Sequence, residues 1–381
     1  MRPWIHIRFG KINATRLGHL AGDSALYLAE KNIGYHRDYL DLFCFSSPAS
    51  NEYLKKKLKP YFHSANVVKL LFKANQDIPG GEKHTVELPC GEDTYDLLKD
   101  YPLPLIFTPE EIQLGKETLQ NLGISDGDKF VCFSNRESTY LDKIYPDRDW
   151  SYHDYRDSDV RNYIPAMEEM VQRGYYVLRM GSVVKRPLEI ENPHIIDYAC
   201  SQERNEFMDL YIYAHCHFAV GSFSGPLDLA NSLGKPVVGV NTVPLLPGNS
   251  HGFRNTIIGS KLLFNESMDR LMTLNEIIDS NCLHYCFSNE FDENGIKFIE
   301  NDSETIKQLA IELDNRINGI WRESKIQQDL QNKFWEIITN RLNLKRLKGW
   351  PENNELENSK SSKILWRMGS YFLKENPQLL Q

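Results

Sequence analysis

The stretch that decides the fold is Gly221-Ser222-Phe223-Ser224-Gly225-Pro226-Leu227-Asp228-Leu229-Ala230-Asn231-Ser232-Leu233-Gly234-Lys235-Pro236. An apolar run, His217–Gly221, precedes it and reads as a strand. Gly225–Leu233 then reads as a helix, and Pro236–Val240 as the next strand. A turn between strand and helix leaves the first backbone N–H groups of the helix without partners, and the helix dipole favours negative charge there. Ser222 and Ser224 add hydroxyl donors, Gly225 lacks a side chain that would hold an anion away, and Pro226 fits the first helical turn. The same residues also permit a structural reading, in which Ser224 caps the helix and Gly225 packs it onto the sheet. Residue physics alone leaves both open.

Working outward, the alternation continues on the N-terminal side. Lys129–Ser134 reads as a strand, Val160–Gln172 as a helix, Tyr175–Met180 as a strand ending at Gly181, His194–Tyr198 as a short strand and Asn205–His215 as a helix. An earlier unit shows the same rhythm: strand Trp4–Phe9, helix Gly18–Lys31, strand Tyr39–Ser46, helix Asn51–Phe62 and strand Val67–Phe72. Strand–helix alternation predicts parallel sheets with crossover helices, the α/β class. Between the units, Thr108-Pro109-Glu110-Glu111 has the composition of a capped helix start, and Gly123 suits that helix's end. Three segments result: a Rossmann-like domain over 1–108, a second over 109–345, and a linker with a last helix over 346–381. Ile306–Leu342 reads as helical, and 349–358 as a polar, acidic linker.

A chain of 381 residues exceeds the about 250–300 that one core supports, so two domains are expected. The formal net charge of -8 argues against a broad nucleic-acid surface, while local arginines still suit small anions. Seven scattered cysteines, an odd number, read as reduced thiols of a cytoplasmic protein. Met1–His6 has no apolar signal core, and no run approaches about 18 apolar residues. Cys282, His284 and Cys286 lack a second paired half for a metal site. Three Asp-x-Asp tripeptides, at 126–128, 147–149 and 157–159, read as a turn, a chance match and a helix start. No metal and no other cofactor is therefore expected. Dinucleotide, P-loop and nucleophile-elbow motifs are absent from the sequence.

The Ser224-Gly225-Pro226 turn, its Ala-containing helix and Leu233-Gly234-Lys235-Pro236 resemble the signature of bacterial heptosyltransferases and related GT-B glycosyltransferases. Arg16–Ala21, Val131–Arg136, His153–Asp159, Tyr176–Gly181 and Tyr371–Pro377 resemble a family of glycosyltransferases associated with bacterial surface-polysaccharide genes. These resemblances imply a GT-B fold, two Rossmann-like domains facing a cleft, with C-terminal helices. They also imply a nucleotide-sugar donor held at the turn, and a glycan or lipid-linked acceptor. Phe223 stands where the heptosyltransferases usually have Asp, and Asp228 where they usually have His, so donor preference is expected to differ.

Arg136 and Arg179 each close a predicted strand and so share the rim of Ser222–Gly225, where a guanidinium can grip a diphosphate through two parallel bonds. A surface salt bridge is the structural alternative for each. In His153–Asp159, Asp157 or Ser158 suits a helix cap, which leaves His153, Tyr155 and Arg156 for the cleft. The donor set expected is thus Arg136, His153, Tyr155, Arg156, Arg179, Gly181, Ser222, Phe223, Ser224, Gly225 and Asp228. The GT-B resemblance places the acceptor-deprotonating residue after the first strand. His19, at a helix start where the dipole disfavours imidazolium, is the expected base, with Asp23 as the alternative. Lys363–Lys374 mixes apolar, aromatic and basic residues. It reads as a final helix crossing back to the first domain, or else as a peripheral contact with the inner face of a membrane. The function expected is metal-independent sugar transfer in surface-glycan synthesis. An epimerase or hydrolase of the same fold, and a degenerate glycan-binding scaffold, are the alternatives.

Overall fold

The computed structural model describes residues 6–88, 93, 97–243, 256–341 and 366–381. Cys90 and the linker expected over 349–358 lie outside the described residues. The first unit runs β1 (His6–Ile12), α1 (Leu17–Asn32), β2 (Tyr39–Phe45), α2 (Glu52–Leu58) and α3 (Val68–Gln76). β1 and β2 pair in parallel from His6–Tyr39 to Ile12–Phe45. Single bridges at Phe9–Thr85 and Phe43–Ser64 extend the sheet. The third strand expected at Val67–Phe72 is instead α3. Val68 and Asn75 turn inward at helical spacing, so one helical face satisfies a run that reads as a continuous apolar strand.

α4 (Pro109–Asn121) begins with the expected capping box, Thr108 accepting from the Glu111 N–H and Glu111 from that of Thr108. The second unit follows with β3 (Phe130–Ser134), α5 (Thr139–Ile144), α6 (Ile164–Gln172), β4 (Tyr176–Arg179), β5 (Ile195–Ile196), α7 (Glu206–His215), β6 (Ala219–Gly221), α8 (Gly225–Ser232), β7 (Val237–Thr242) and β8 (Thr256–Ser260). A small antiparallel sheet, β9 (Leu262–Asn265), β10 (Arg270–Leu271) and β11 (Ile296–Ile299), carries α9 (Leu274–Asp279) and α10 (Ser288–Glu293). The chain closes with α11 (Ser303–Ile317), α12 (Lys325–Arg341), β12 (Arg367–Met368) and α13 (Ser370–Glu375). The single long helix expected over Ile306–Leu342 is divided at Gly319, whose φ of 71° only glycine adopts readily.

The large sheet is parallel, in the order β12-β8-β7-β6-β3-β4-β5. Its strands alternate between two cores: Phe130 and Cys132 face one side with α7 and α8, Val131 and Phe133 the other with α6 and α11. Two α/β units, followed by C-terminal helices, make up the described fold. The strand order reverses between β3 and β6, where Ser134 pairs with Gly221 and the following loops diverge. Such a switch point, at the carboxyl ends of the strands, is where open α/β sheets bind ligands.

The final helix does not cross back to the first unit. β12 adds to β8, and α13 packs on α11 and α12, with Met368, Phe372 and Leu373 buried in the second core. Glu312 secures this docking by accepting hydrogen bonds from the Ser370 N–H at 2.7 Å and the Ser370 hydroxyl at 3.0 Å. Of the residues that made this segment a candidate for a membrane surface, Met368, Phe372 and Leu373 are spent inside the protein.

Candidate active site at the junction of the two units

The two units meet through α1 and α8. Ten consecutive residues of α1, Leu20–Ala29, are buried, because one side covers the first sheet and the other covers α8. Its leucines, Leu20, Leu26 and Leu28, contribute about 1.5–3 kcal/mol each through this burial. The helices run side by side in the same direction: Gly18 faces Asp228, and Gly22 faces Ser232. Glycine sets the approach at the top. A Cβ on Gly18 would stand 2.4 Å from the Asp228 carboxylate, and one on Gly225 would stand 2.9 Å from Leu17 Cβ and 3.1 Å from the Gly18 nitrogen. Gly225 thus serves the packing of α1, rather than of the sheet, against α8.

Parallel packing brings two positive helix ends together. Neither start is capped by a side chain: Arg16 before α1 and Ser224 before α8 both have extended backbones and make no capping bond. Ser224, the sequence candidate for a cap, instead donates its hydroxyl to the Ser222 carbonyl at 3.2 Å. By contrast α2, α4, α7, α9 and α11 each begin with a side-chain cap, from Asn51, Thr108, Asn205, Thr273 and Asp302.

His19 lies one turn before Asp23 on α1, and their Nδ1 and Oδ2 atoms are 3.1 Å apart. The His19 side chain is 41% exposed and that of Asp23 only 4%. Asp23's hydrogen bond, the largest influence, raises the proton affinity of His19 above the ordinary imidazole value despite an opposing contribution from burial. The dipole argument anticipates a lowered value, and the carboxylate one turn along outweighs it. Asp228 faces this pair from α8. Burial pushes its carboxyl up to about 7, against the pull of Arg156 and His19, while Asp23 adds to the rise. Arg156 donates to the Phe223 carbonyl at 2.7 Å, which joins the 153–159 segment to the turn before α8.

Three guanidinium groups surround His153. Burial first, then Arg156, Arg136 and Arg16, lowers its pKa to about 4, so the ring is neutral at pH 7. Arg136 donates to the His153 carbonyl at 2.9 Å and pairs with Asp157. Asp157 is itself pushed up to about 6 by burial. Arg16 reaches across from the first unit and lies 4.8 Å from the Trp150 ring centre and 5.9 Å from that of Tyr145. Among the described residues, neither Arg16 nor Arg156 has a carboxylate within salt-bridge distance. The junction therefore gathers His19, Asp23, Arg136, His153, Arg156 and Asp228.

Other expected residues point elsewhere. Arg179 ends β4 fully buried, 3.0 Å from Asp197 and 3.8 Å from Glu137. Its Nε and Nη2 have no hydrogen-bond partner among the described residues. Tyr155 packs against Phe291 at 5.2 Å and Phe298 at 5.9 Å. The Ser222 hydroxyl is buried with those of Ser158 and Tyr163, at 3.0 Å from each. Phe223 covers Gly239 of β7, where a Cβ would meet its ring at 2.2 Å. Gly181 gives its carbonyl to Arg204 at 3.0 Å. Cys282 is buried and Cys286 exposed, and among the described residues no group of three or more His, Cys, Asp or Glu could hold a metal ion.

Arg16 and Trp150 were not anticipated as site residues. Arg16 carried a usable signal: a cation directly before a helix opposes the dipole preference, so its position calls for another explanation. Trp150 carried none, since its role depends on contact between the units.

No protein-family model and no curated protein matches this chain. Among solved structures, it is similar to a family 9 glycosyl transferase from Veillonella parvula, at 11% identity over 68% of this chain and 86% of that one, with a TM-score of 0.41. It is also similar to the ADP-heptose LPS heptosyltransferase II of E. coli, at 14% identity over 66% and 90%, with a TM-score of 0.37. A UDP-N-acetylglucosamine 2-epimerase aligns at 12% identity over 84% and 98%, with a TM-score of 0.32. The activities named are those of the neighbours.

Proposed function

We propose that this protein is a nucleotide-sugar-dependent glycosyltransferase with its reaction centre at the α1–α8 junction. The observation that carries the reading is the meeting of two uncapped helix starts with Arg16 and Arg156, neither held by a carboxylate among the described residues, beside the His19–Asp23 pair. The donor diphosphate lies between these guanidinium groups and the start of α8, with neutral His153 as a further hydrogen-bonding group. Arg136 acts from behind through its hold on the His153 carbonyl. Trp150 and Tyr145 steady Arg16 for that contact.

His19 is the base in this scheme, and buried Asp23 orients it. With Nδ1 turned to Asp23, Nε2 is the atom that takes the proton from an acceptor hydroxyl. The acceptor oxygen forms a bond to the anomeric carbon as the bond from that carbon to the diphosphate oxygen breaks, the electron pair leaving with the diphosphate. Guanidinium groups and helix N–H groups stabilise the leaving charge, so the scheme requires no metal. The acceptor is a glycan or lipid-linked hydroxyl, with synthesis of bacterial surface glycan in the cytoplasm as the setting.

Asp228 favours one second reading. A carboxyl titrating at about 7 opposite a histidine is a pair of acid and base groups, which an epimerase or hydrolase of nucleotide sugars would use. Incubation of a panel of nucleotide sugars with and without saccharide acceptors separates the two. Diphosphate release that depends on acceptor supports transfer, whereas an isomerised or hydrolysed sugar from donor alone supports the second reading.

A further inference from the structure

α3 carries two apolar faces, and the fold uses one. Val68 and Asn75 turn inward, Asn75 donating through Nδ2 to the Gly81 carbonyl at 2.8 Å and the Thr85 hydroxyl at 3.0 Å. A second series, Val67, Leu70, Leu71 and Ala74, follows the i, i+3, i+4, i+7 spacing of one helical stripe and faces outward, and Ile78, just past the helix, continues it. Its large members are 59% exposed at Val67, 70% at Leu70, 43% at Leu71 and 58% at Ile78. Scattered exposed apolar residues are ordinary, but a stripe of them on one short helix marks an interaction surface.

The charge around this stripe indicates what covers it. Residues 53–76 hold six lysines, at 55, 56, 57, 59, 69 and 73, and no Asp or Glu, in a chain of net charge -8. Lys57 is taken up by Glu111 and Lys55 by Glu52. Lys56, Lys59, Lys69 and Lys73 are exposed, and Lys73 borders the stripe one turn from Leu70. Lys11, at the end of β1, belongs to the same region, since it and Lys69 both act on the Cys44 thiol. Asp77 caps the far end of the helix beside Ile78, and Glu82 lies beyond it.

We infer that α3 docks this unit on an anionic lipid surface. An apolar stripe flanked by lysines is the composition of a helix lying in the interface, with its apolar residues among the acyl chains and its ammonium groups at anionic headgroups. Each lysine near such a surface adds an attraction that fades within a Debye length. This relocates the membrane contact from Lys363–Lys374, where Met368, Phe372 and Leu373 are buried, to the unit that also carries His19. The inference rests on α3 alone and does not depend on the proposed reaction.

Co-sedimentation tests it with vesicles of phosphatidylcholine alone and with 30% phosphatidylglycerol. The wild-type chain partitions onto the anionic vesicles at least tenfold better than onto neutral ones, and 0.5 M salt reverses most of this. Leu70→Glu with Leu71→Glu, and separately Lys69→Glu with Lys73→Glu, each remove the binding while leaving the circular dichroism melt unchanged. A fluorophore sensitive to polarity, attached at Leu70→Cys, shifts to the blue on anionic vesicles. Equal partitioning onto both vesicle types, or glutamate variants that bind as the wild type does, overturns the inference. So does a lipid-free dimer that Leu70→Glu with Leu71→Glu converts to monomer, since the stripe then serves a second copy of the chain.

Discussion

Asp228 gives the junction a measurable pH signature. Its carboxyl titrates at about 7 in the folded protein, against an ordinary 3.8. Between these values the folded state binds a proton that the unfolded state has released, so stability falls as pH rises through this window. For those two values, linkage gives a penalty on the order of 2 kcal/mol at pH 5 and 4 kcal/mol at pH 8. Asp228→Asn cannot ionise and escapes the penalty. The variant should therefore gain roughly 2–3 kcal/mol on the wild type when pH is raised from 5 to 8. Urea titrations followed by tryptophan fluorescence at the two pH values measure that difference directly. A stability difference that does not change with pH would refute the reasoning, because it would mean that α1 and α8 do not enclose this carboxyl.

Other perturbations address the same junction. His19→Ala should lower the rate of transfer by about 10²–10⁴-fold with nucleoside-diphosphate affinity retained, a split that steady-state kinetics and calorimetry read together. Since the base must be deprotonated and Asp23 raises its proton affinity, the rising limb of the rate profile should lie above the ordinary imidazole value. Asp23→Asn should move that limb to lower pH while slowing the reaction. Gly225→Ala should cost about 1–3 kcal/mol in thermal or urea unfolding, because its Cβ meets both Leu17 and the Gly18 backbone. Arg179→Met should cost about 3 kcal/mol by breaking a buried pair with Asp197. The same variant should leave nucleotide affinity within about twofold, since Arg179 supports the sheet edge rather than the ligand.

The second unit was legible because its strands and helices obey clean periods and are divided by glycine and capping residues, as at Thr108 and Gly123. α3 was not. Its outward stripe has no partner among the described residues, and a run that is apolar on both faces looks the same as a strand buried on both sides. Arg179 was correctly put at the end of its strand but on the wrong face. Its guanidinium is fully buried against Asp197, a contact across the sheet that the count of rim arginines passed over. The turn from Ser222 to Gly225 was recognised, yet the purpose of Gly225 depends on α1, more than two hundred residues earlier. Arg16, His19 and Asp228 likewise become one site only when two helices far apart in sequence lie side by side, and one chain's sequence does not encode that register in any local pattern.

The central claim is that the α1–α8 junction holds a nucleoside diphosphate between Arg16 and Arg156. Calorimetric titration with ADP, UDP and GDP, in the presence of EDTA, tests it on the wild type and on Arg16→Ala with Arg156→Ala. Charge-assisted hydrogen bonds contribute about 1.5–3 kcal/mol each, so removing one from each arginine should weaken binding by at least about a hundredfold. At least one diphosphate should bind the wild type, and the double variant should lose it while keeping its fold. Binding by neither protein, or equal binding by both, would contradict the account.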